Sequence, residues 1–133
     1  MANNYSKWSF EFACNSDEYA WLKKEYDKRS DEDTDEPQFS GITLEKSERP
    51  EEKKAYFYSE MDGTIDHAAD LVQAMLKHFK RTDAVYAEGA FTCSSPRPGE
   101  FGGWCVEITA KGQKWANTTQ IIMKWKVARE KKK

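Results

Sequence analysis

The chain has little of several things that would make its role easy to read. No run approaches the ~20 consecutive apolar residues that a membrane-spanning helix needs. The opening MANNYSKWSF carries no apolar stretch of the kind found in a secretory leader. The 133 residues contain three cysteines, Cys14, Cys93 and Cys105, an odd number at wide spacing. That excludes a disulfide framework and a CxxC metal knuckle, and it predicts a reduced, cytoplasmic setting. Only two histidines, His67 and His78, are available as general bases. Neither GxxxxGK[ST] nor GxGxxG occurs, so the two common glycine-rich nucleotide-binding motifs are absent.

What is present fits one folded domain spanning 1–133. Aromatic residues make up 14% of the chain, enough with the aliphatics to fill a core without disulfides or a metal. The net charge of −2 hides an uneven distribution. Residues 15–62 hold fifteen carboxylates against eight cations, while residues 111–133 hold eight cations against one carboxylate.

Periodicity predicts the elements. In WSFEFAC, Trp8, Phe10 and Phe12 alternate with polar residues, the pattern of a half-buried strand. A helix follows from about Asp17 to Lys28, with Ser16 as its cap and Tyr19, Leu22 and Tyr26 on one face. The segment 30–38, SDEDTDEPQ, reads as a solvated acidic loop. It places Asp31, Asp33 and Asp35 at alternate positions, but the sixth and twelfth positions of an EF-hand counted from Asp31 are Glu36 and Ile42, so no calcium site is predicted. FSGITLEKS and KKAYFYSEM read as an antiparallel hairpin. In TIDHAADLVQAMLKHFK, Ile65, Ala68, Ala69, Val72, Met75, Leu76 and Phe79 form the apolar stripe of a helix, and His67 lies off that stripe, facing solvent. AVYAEGAFTC and GWCVEITA form a second strand pair. The end, with its basic tail at 124–133, fits a strand or a helix capped by Asn117 or Thr118, and the cap and charged tail favour helix.

The predicted fold class is therefore α+β: a single-domain, two-layer sandwich with a mostly antiparallel sheet and helices on one face, in the order β-α-β-β-α-β-β-(α). This order resembles a ferredoxin-like plait with additional elements.

The most unusual stretch is TCSSPRPGEFGGW, Thr92 to Trp104. Pro96 and Pro98 stiffen the predicted loop from Ser94 to Gly103, and Gly99, Gly102 and Gly103 permit dihedrals that other residues avoid. Arg97 presents a planar fork of donors, Glu100 lies within pairing range, and Phe101 is an anchor type favoured at interfaces. Arg97, Glu100, Phe101, Gly102 and Gly103 are the predicted partner-binding residues.

This stretch, the helix before it and the following Lys114, Trp115, Asn117 and Thr118 resemble a group of small bacterial proteins associated with phages, plasmids and other mobile elements. The likeness covers approximately Thr64 to Thr118, and Trp104 stands where that pattern has a small residue. The resemblance implies a cytoplasmic accessory protein and supplies no activity, cofactor or catalytic residue.

The expected function is that of a small, non-enzymatic binding or accessory module acting through protein contacts, without a cofactor. Three alternatives stand beside it. The basic segment, with Lys124, Trp125, Lys126 and Arg129, has the charge and the stacking side chain for nucleic acid. The acidic half has the charge to occupy a basic groove on a host protein. A small hydrolase or transferase would have to draw on Cys93, Ser94 or Ser95 with His67 or His78, although strand-embedded Cys14, Cys93 and Cys105 read as buried structural thiols.

Overall fold

A computed structural model describes residues 4–31, 39, 41–60, 63–93 and 101–131. Six strands form one antiparallel sheet: β1 (Asn4–Ala13), β2 (Thr43–Lys46), β3 (Lys54–Ser59), β4 (Val85–Cys93), β5 (Gly102–Thr109) and β6 (Gly112–Asn117). Helix α1 (Ser16–Ser30) joins β1 to β2, α2 (Ile65–His78) joins β3 to β4, and α3 (Thr118–Lys131) follows β6. A short 3-10 turn, Pro50–Glu52, closes the β2–β3 hairpin.

The spatial order is β2-β3-β1-β4-β5-β6. Its first four strands have the arrangement of a ferredoxin-like βαββαβ plait, and β5 and β6 extend that sheet as a meander. The α+β class and the antiparallel sheet are as expected from the sequence. Strand β6 is an addition, because the turn at Ala110 and Lys111 reverses the chain and Gly112–Asn117 pairs with β5 from Thr109↔Gly112 to Trp104↔Asn117. The expectation of helices on one face holds for α1 and α2 but not for α3, none of whose residues is buried.

The core lies between the sheet and α1/α2. Trp8, Phe10 and Phe12 on β1 point inward with Phe57 of β3, Val85 and Ala87 of β4, and Trp104, Val106 and Ile108 of β5. Helix α2 contributes most from the other layer: Ala68, Ala69, Leu71, Val72, Met75 and Leu76 are fully buried. Small residues at 68 and 69 let the helix approach the aromatic sheet surface closely. Helix α1 is held by fewer groups. Leu22 is buried, and Tyr26 stacks near Phe39 while donating to the Ile42 carbonyl at 2.6 Å.

Two helix ends differ from the reading of the sequence. Asn15, not Ser16, caps α1: its side chain accepts from the Glu18 amide at 2.8 Å, and Glu18 accepts from the Asn15 amide at 2.9 Å. This reciprocal box satisfies two donors that a hydroxyl alone would leave partly unmet. Helix α2 ends in a Schellman motif, with Lys80 in the left-handed region at φ 53° and the Arg81 amide bonded to the Leu76 carbonyl at 2.8 Å. Arg81 then donates to the Ala13 carbonyl at 2.7 Å, to Glu18 at 3.2 Å and to Asp83 through two bonds. One guanidinium thus ties together the end of β1, the start of α1 and the α2–β4 connection.

Gly89 occupies a position where a side chain has no room. Trp8, Gly89 and Trp104 are register partners on β1, β4 and β5. A Cβ on Gly89 would lie 2.3 Å from Cζ2 of Trp104 and 2.8 Å from Cβ of Trp8. The glycine lets the Trp104 indole lie across β4 and complete the core at this end.

Candidate protein-contact surface

Of the residues singled out in the TCSSPRPGEFGGW stretch, Arg97 and Glu100 lie outside the described residues, as do Ser94, Ser95, Pro96, Pro98 and Gly99. Phe101 is described and half exposed, at 51%. Gly102 and Gly103 belong to β5 rather than to the loop, paired with Phe91 and Ala90. They do not use left-handed dihedrals: among the described glycines only Gly41 has a positive φ, 76°. Their role is close approach. The Gly103 amide donates to Thr118 Oγ1 at 3.0 Å, and a Cβ on Gly102 would stand 3.1 Å from that oxygen. These glycines therefore seat the first residue of α3 against β5.

Helix α3 starts without a linker, since β6 ends at Asn117 and the helix begins at Thr118. Asn117 caps it, its side-chain oxygen accepting from the Gln120 amide at 2.8 Å. With the Gly103–Thr118 bond, this cap sets the direction in which the helix leaves the sheet. Beyond its first turn it has little to pack on. Ile121, Ile122, Met123, Trp125 and Val127 are all exposed, Trp125 at 68% and Met123 at 53%. A 14-residue helix with no buried residue, held to the sheet only through its first turn, is marginal in water. Large apolar side chains left in water along such a helix mark a contact site.

Lys124, Trp125, Lys126 and Arg129, the candidate nucleic-acid residues, are all exposed on α3. They do not make one basic face, because helix residues two apart, such as Lys124 and Lys126, point to different sides. The apolar stripe Ile121, Ile122, Trp125 and Ala128 is instead flanked by Lys124 on one edge and Lys126 on the other, with Arg129 on the same side as Ile122. Three consecutive apolar residues, Ile121 to Met123, cannot all face one way on a helix. That was the signal in the sequence that α3 would carry apolar side chains outside any single packed face.

The second exposed surface is the sheet face opposite α1 and α2. Its side chains include Tyr56 and Tyr58 of β3, Ser9 and Glu11 of β1, Tyr86 and Glu88 of β4, Cys105 and Glu107 of β5, and Lys114 and Ala116 of β6. The small side chains of Ser9, Cys105 and Ala116 leave a trough of about 630 Å³ bordered by Tyr86, Glu107 and Lys114. Glu11, Glu45, Glu88 and Glu107 share this face with Lys7, Lys54 and Lys114, and Lys54 pairs with Glu11 at 3.4 Å. Glu45 accepts from the hydroxyls of Tyr56 and Tyr58, and the bond to Tyr56 pushes that phenol up to about 12. Glu107 accepts from Tyr86 at 2.9 Å and raises its pKa in the same way. Phenols held protonated remain neutral donors.

The thiols divide. Cys14 is buried, and desolvation, followed by the Glu18 charge, pushes it up to about 12, so it is inert as a nucleophile. Cys105 is exposed in the trough and was expected to be buried; the strand alternation that buries Trp104 and Val106 turns it outward. The Cys93 side chain lies outside the described residues. His67 is half-buried with its ring edge toward Phe39 instead of facing solvent, and His78 stacks on Trp21 at 4.8 Å. Among the described residues no three His, Cys, Asp or Glu side chains are grouped to hold a metal, and no helix is long and apolar enough to cross a membrane.

The chain matches no family model, and no curated protein or solved structure matches it.

Proposed function

We propose that this chain is a small non-enzymatic binding or accessory module that works through protein contact, with α3 as its principal contact element. The observation that carries this reading is the exposure of Ile121, Ile122, Met123, Trp125 and Val127 on one unpacked helix. Burying such side chains is worth about 1.5–3 kcal/mol each, a driving force that the folded chain leaves unused. The aromatic and aliphatic character fits a protein surface better than a phosphate backbone, which would select a continuous basic face. The Thr92–Trp104 stretch contributes by seating the helix through Gly102 and Gly103, and Phe101 next to them in the chain is exposed. A cytoplasmic setting and an origin among mobile-element proteins belong to the same proposal and rest on the sequence resemblance.

The test is affinity capture from bacterial lysate with the wild type and an Ile122→Ser/Trp125→Ser variant. Both positions are exposed, so the variant keeps the cooperative thermal unfolding of the wild type, with a similar midpoint. A protein captured by the wild type and lost from the variant, whether another protein or a further copy of this one, is the expected result. Equal capture by both refutes α3 as the contact element. Capture of nucleic acid, lost with rising salt and with Lys124→Ala/Arg129→Ala, would favour the nucleic-acid reading instead.

A further inference from the structure

The open sheet face and α3 are two unpartnered surfaces of the same chain, and they complement each other. The trough is lined by Glu88 and Glu107 against Lys114, and by Glu11, whose carboxylate is paired with Lys54 at 3.4 Å. Helix α3 carries Lys124, Lys126, Arg129 and Lys131 against Glu130. The helix is positive and apolar; the trough is negative, with a floor of small side chains and a tyrosine wall.

We infer that the occupant of the trough is α3 of a second copy of this chain, docked reciprocally so that each copy's helix lies on the other's sheet. This rests on the reading of α3 as the contact element and adds its partner. The helix cannot reach its own trough without breaking its start. No residue separates β6 from α3, and the Asn117 cap and the Gly103–Thr118 bond fix the exit direction. Ile121 reaches only the lip of the sheet face, where it shares a small cleft with Cys105 and Ala116. Ile122, Trp125 and Ala128 line neither this cleft nor the trough.

Dimensions agree. Helix α3 is about 21 Å long and roughly 10 Å wide with side chains, so it spans about two strands of a sheet with 4.8 Å spacing. A stable interface needs about 800 Å² per partner. In the reciprocal arrangement each copy supplies one helix face and one sheet face, so each surface has to contribute only about half of that. The two contacts are related by a twofold axis, the commonest closed symmetry for a self-complementary surface. Closure would also leave no trough or helix free to recruit a third copy.

The experiment is sedimentation of the full chain over a concentration series, with two charge-reversal variants. One alters the trough, Glu88→Lys/Glu107→Lys, and the other alters the helix, Lys124→Glu/Arg129→Glu. The wild type is expected to shift from one chain to two as concentration rises. Each variant alone is expected to weaken the dimer by about tenfold or more, because like charges then meet. Mixing the two variants is expected to restore a dimer close to wild-type strength, since each helix then finds a trough of opposite charge. That recovery cannot come from misfolded chains. A single-chain mass at every concentration would overturn the inference. A dimer indifferent to the trough substitutions would also overturn it, and would point to helix-on-helix pairing. In either case, loss of a captured foreign protein in Ile122→Ser/Trp125→Ser would leave the reading of α3 standing.

Discussion

Replacing Gly89 with alanine tests how β1, β4 and β5 are packed together. The added Cβ would lie 2.3 and 2.6 Å from Cζ2 and Cε2 of Trp104 and 2.8 Å from Cβ of Trp8. Ordinary carbon contacts are about 3.5–4.0 Å, so the indole has to move by roughly 1 Å or more. Trp104 is 6% exposed and cannot simply swing into solvent. Overpacking of this kind costs about 1–3 kcal/mol, set against up to about 1 kcal/mol gained because alanine restricts the unfolded chain. The expected net loss is about 1–2 kcal/mol, a fall of about 4–7 °C in Tm for a chain of this length. Thermal and urea unfolding would measure it. The decisive comparison is Gly89→Ala in a Trp104→Leu background, where the smaller side chain makes room. There only the 2.8 Å approach to Cβ of Trp8 remains, so the alanine should cost clearly less than in the wild type, and the difference measures the coupling to the indole. An equal cost in both backgrounds would refute the argument that the glycine exists to admit the indole.

Other outcomes follow from the remaining geometry. Arg81→Ala should destabilise by about 3 kcal/mol in urea unfolding, because it leaves Glu18, only 10% exposed, without its cation. Lys80→Gly should stabilise by about 0.5–1 kcal/mol, since it relieves a left-handed residue at the end of α2; loss of stability would contradict the Schellman assignment. Cys14 should show itself in alkali. Its pKa is raised from 9.0 to about 12 in the folded chain, so its contribution is complete below pH 9 and is lost as pH rises from 9 to 12. Wild-type stability should then fall more steeply than that of Cys14→Ala over this window, and parallel curves would refute the burial of the thiol. Under native conditions a thiol reagent should modify Cys105 and spare Cys14 until unfolding.

The sequence made the core legible wherever one period ran unbroken. The alternation of Trp8, Phe10 and Phe12 and the stripe from Ile65 to Leu76 gave β1 and α2 their faces directly. Strand β6 was hidden because Gly112–Asn117 is short and has no apolar/polar alternation, Gln113 and Lys114 standing side by side, and its pairing is decided by β5 rather than by its own pattern. The cap of α1 was misread because Asn15 and Ser16 are both good caps, and only the reach of Glu18 selects the former. Of the predicted contact stretch, Gly102 and Gly103 are strand residues that admit Thr118, a use no sequence pattern announced, and Arg97 and Glu100 lie outside the described residues. The open sheet face could not be seen at all. Tyr56, Tyr58, Tyr86 and Glu107 come from three strands, and only the sheet order brings them to one surface.

Hydrogen exchange at the amides of 118–131 tests the central claim most directly. A lone helix of this length without packing should open easily, and its amides should exchange within seconds to minutes in dilute protein. If α3 is the contact element, protection of these amides should rise as the protein is concentrated or as its captured partner is added, while α2 stays protected throughout. The Ile122→Ser/Trp125→Ser variant should show no such rise. Amides of α3 that remain unprotected at every concentration and with every captured protein would contradict the account.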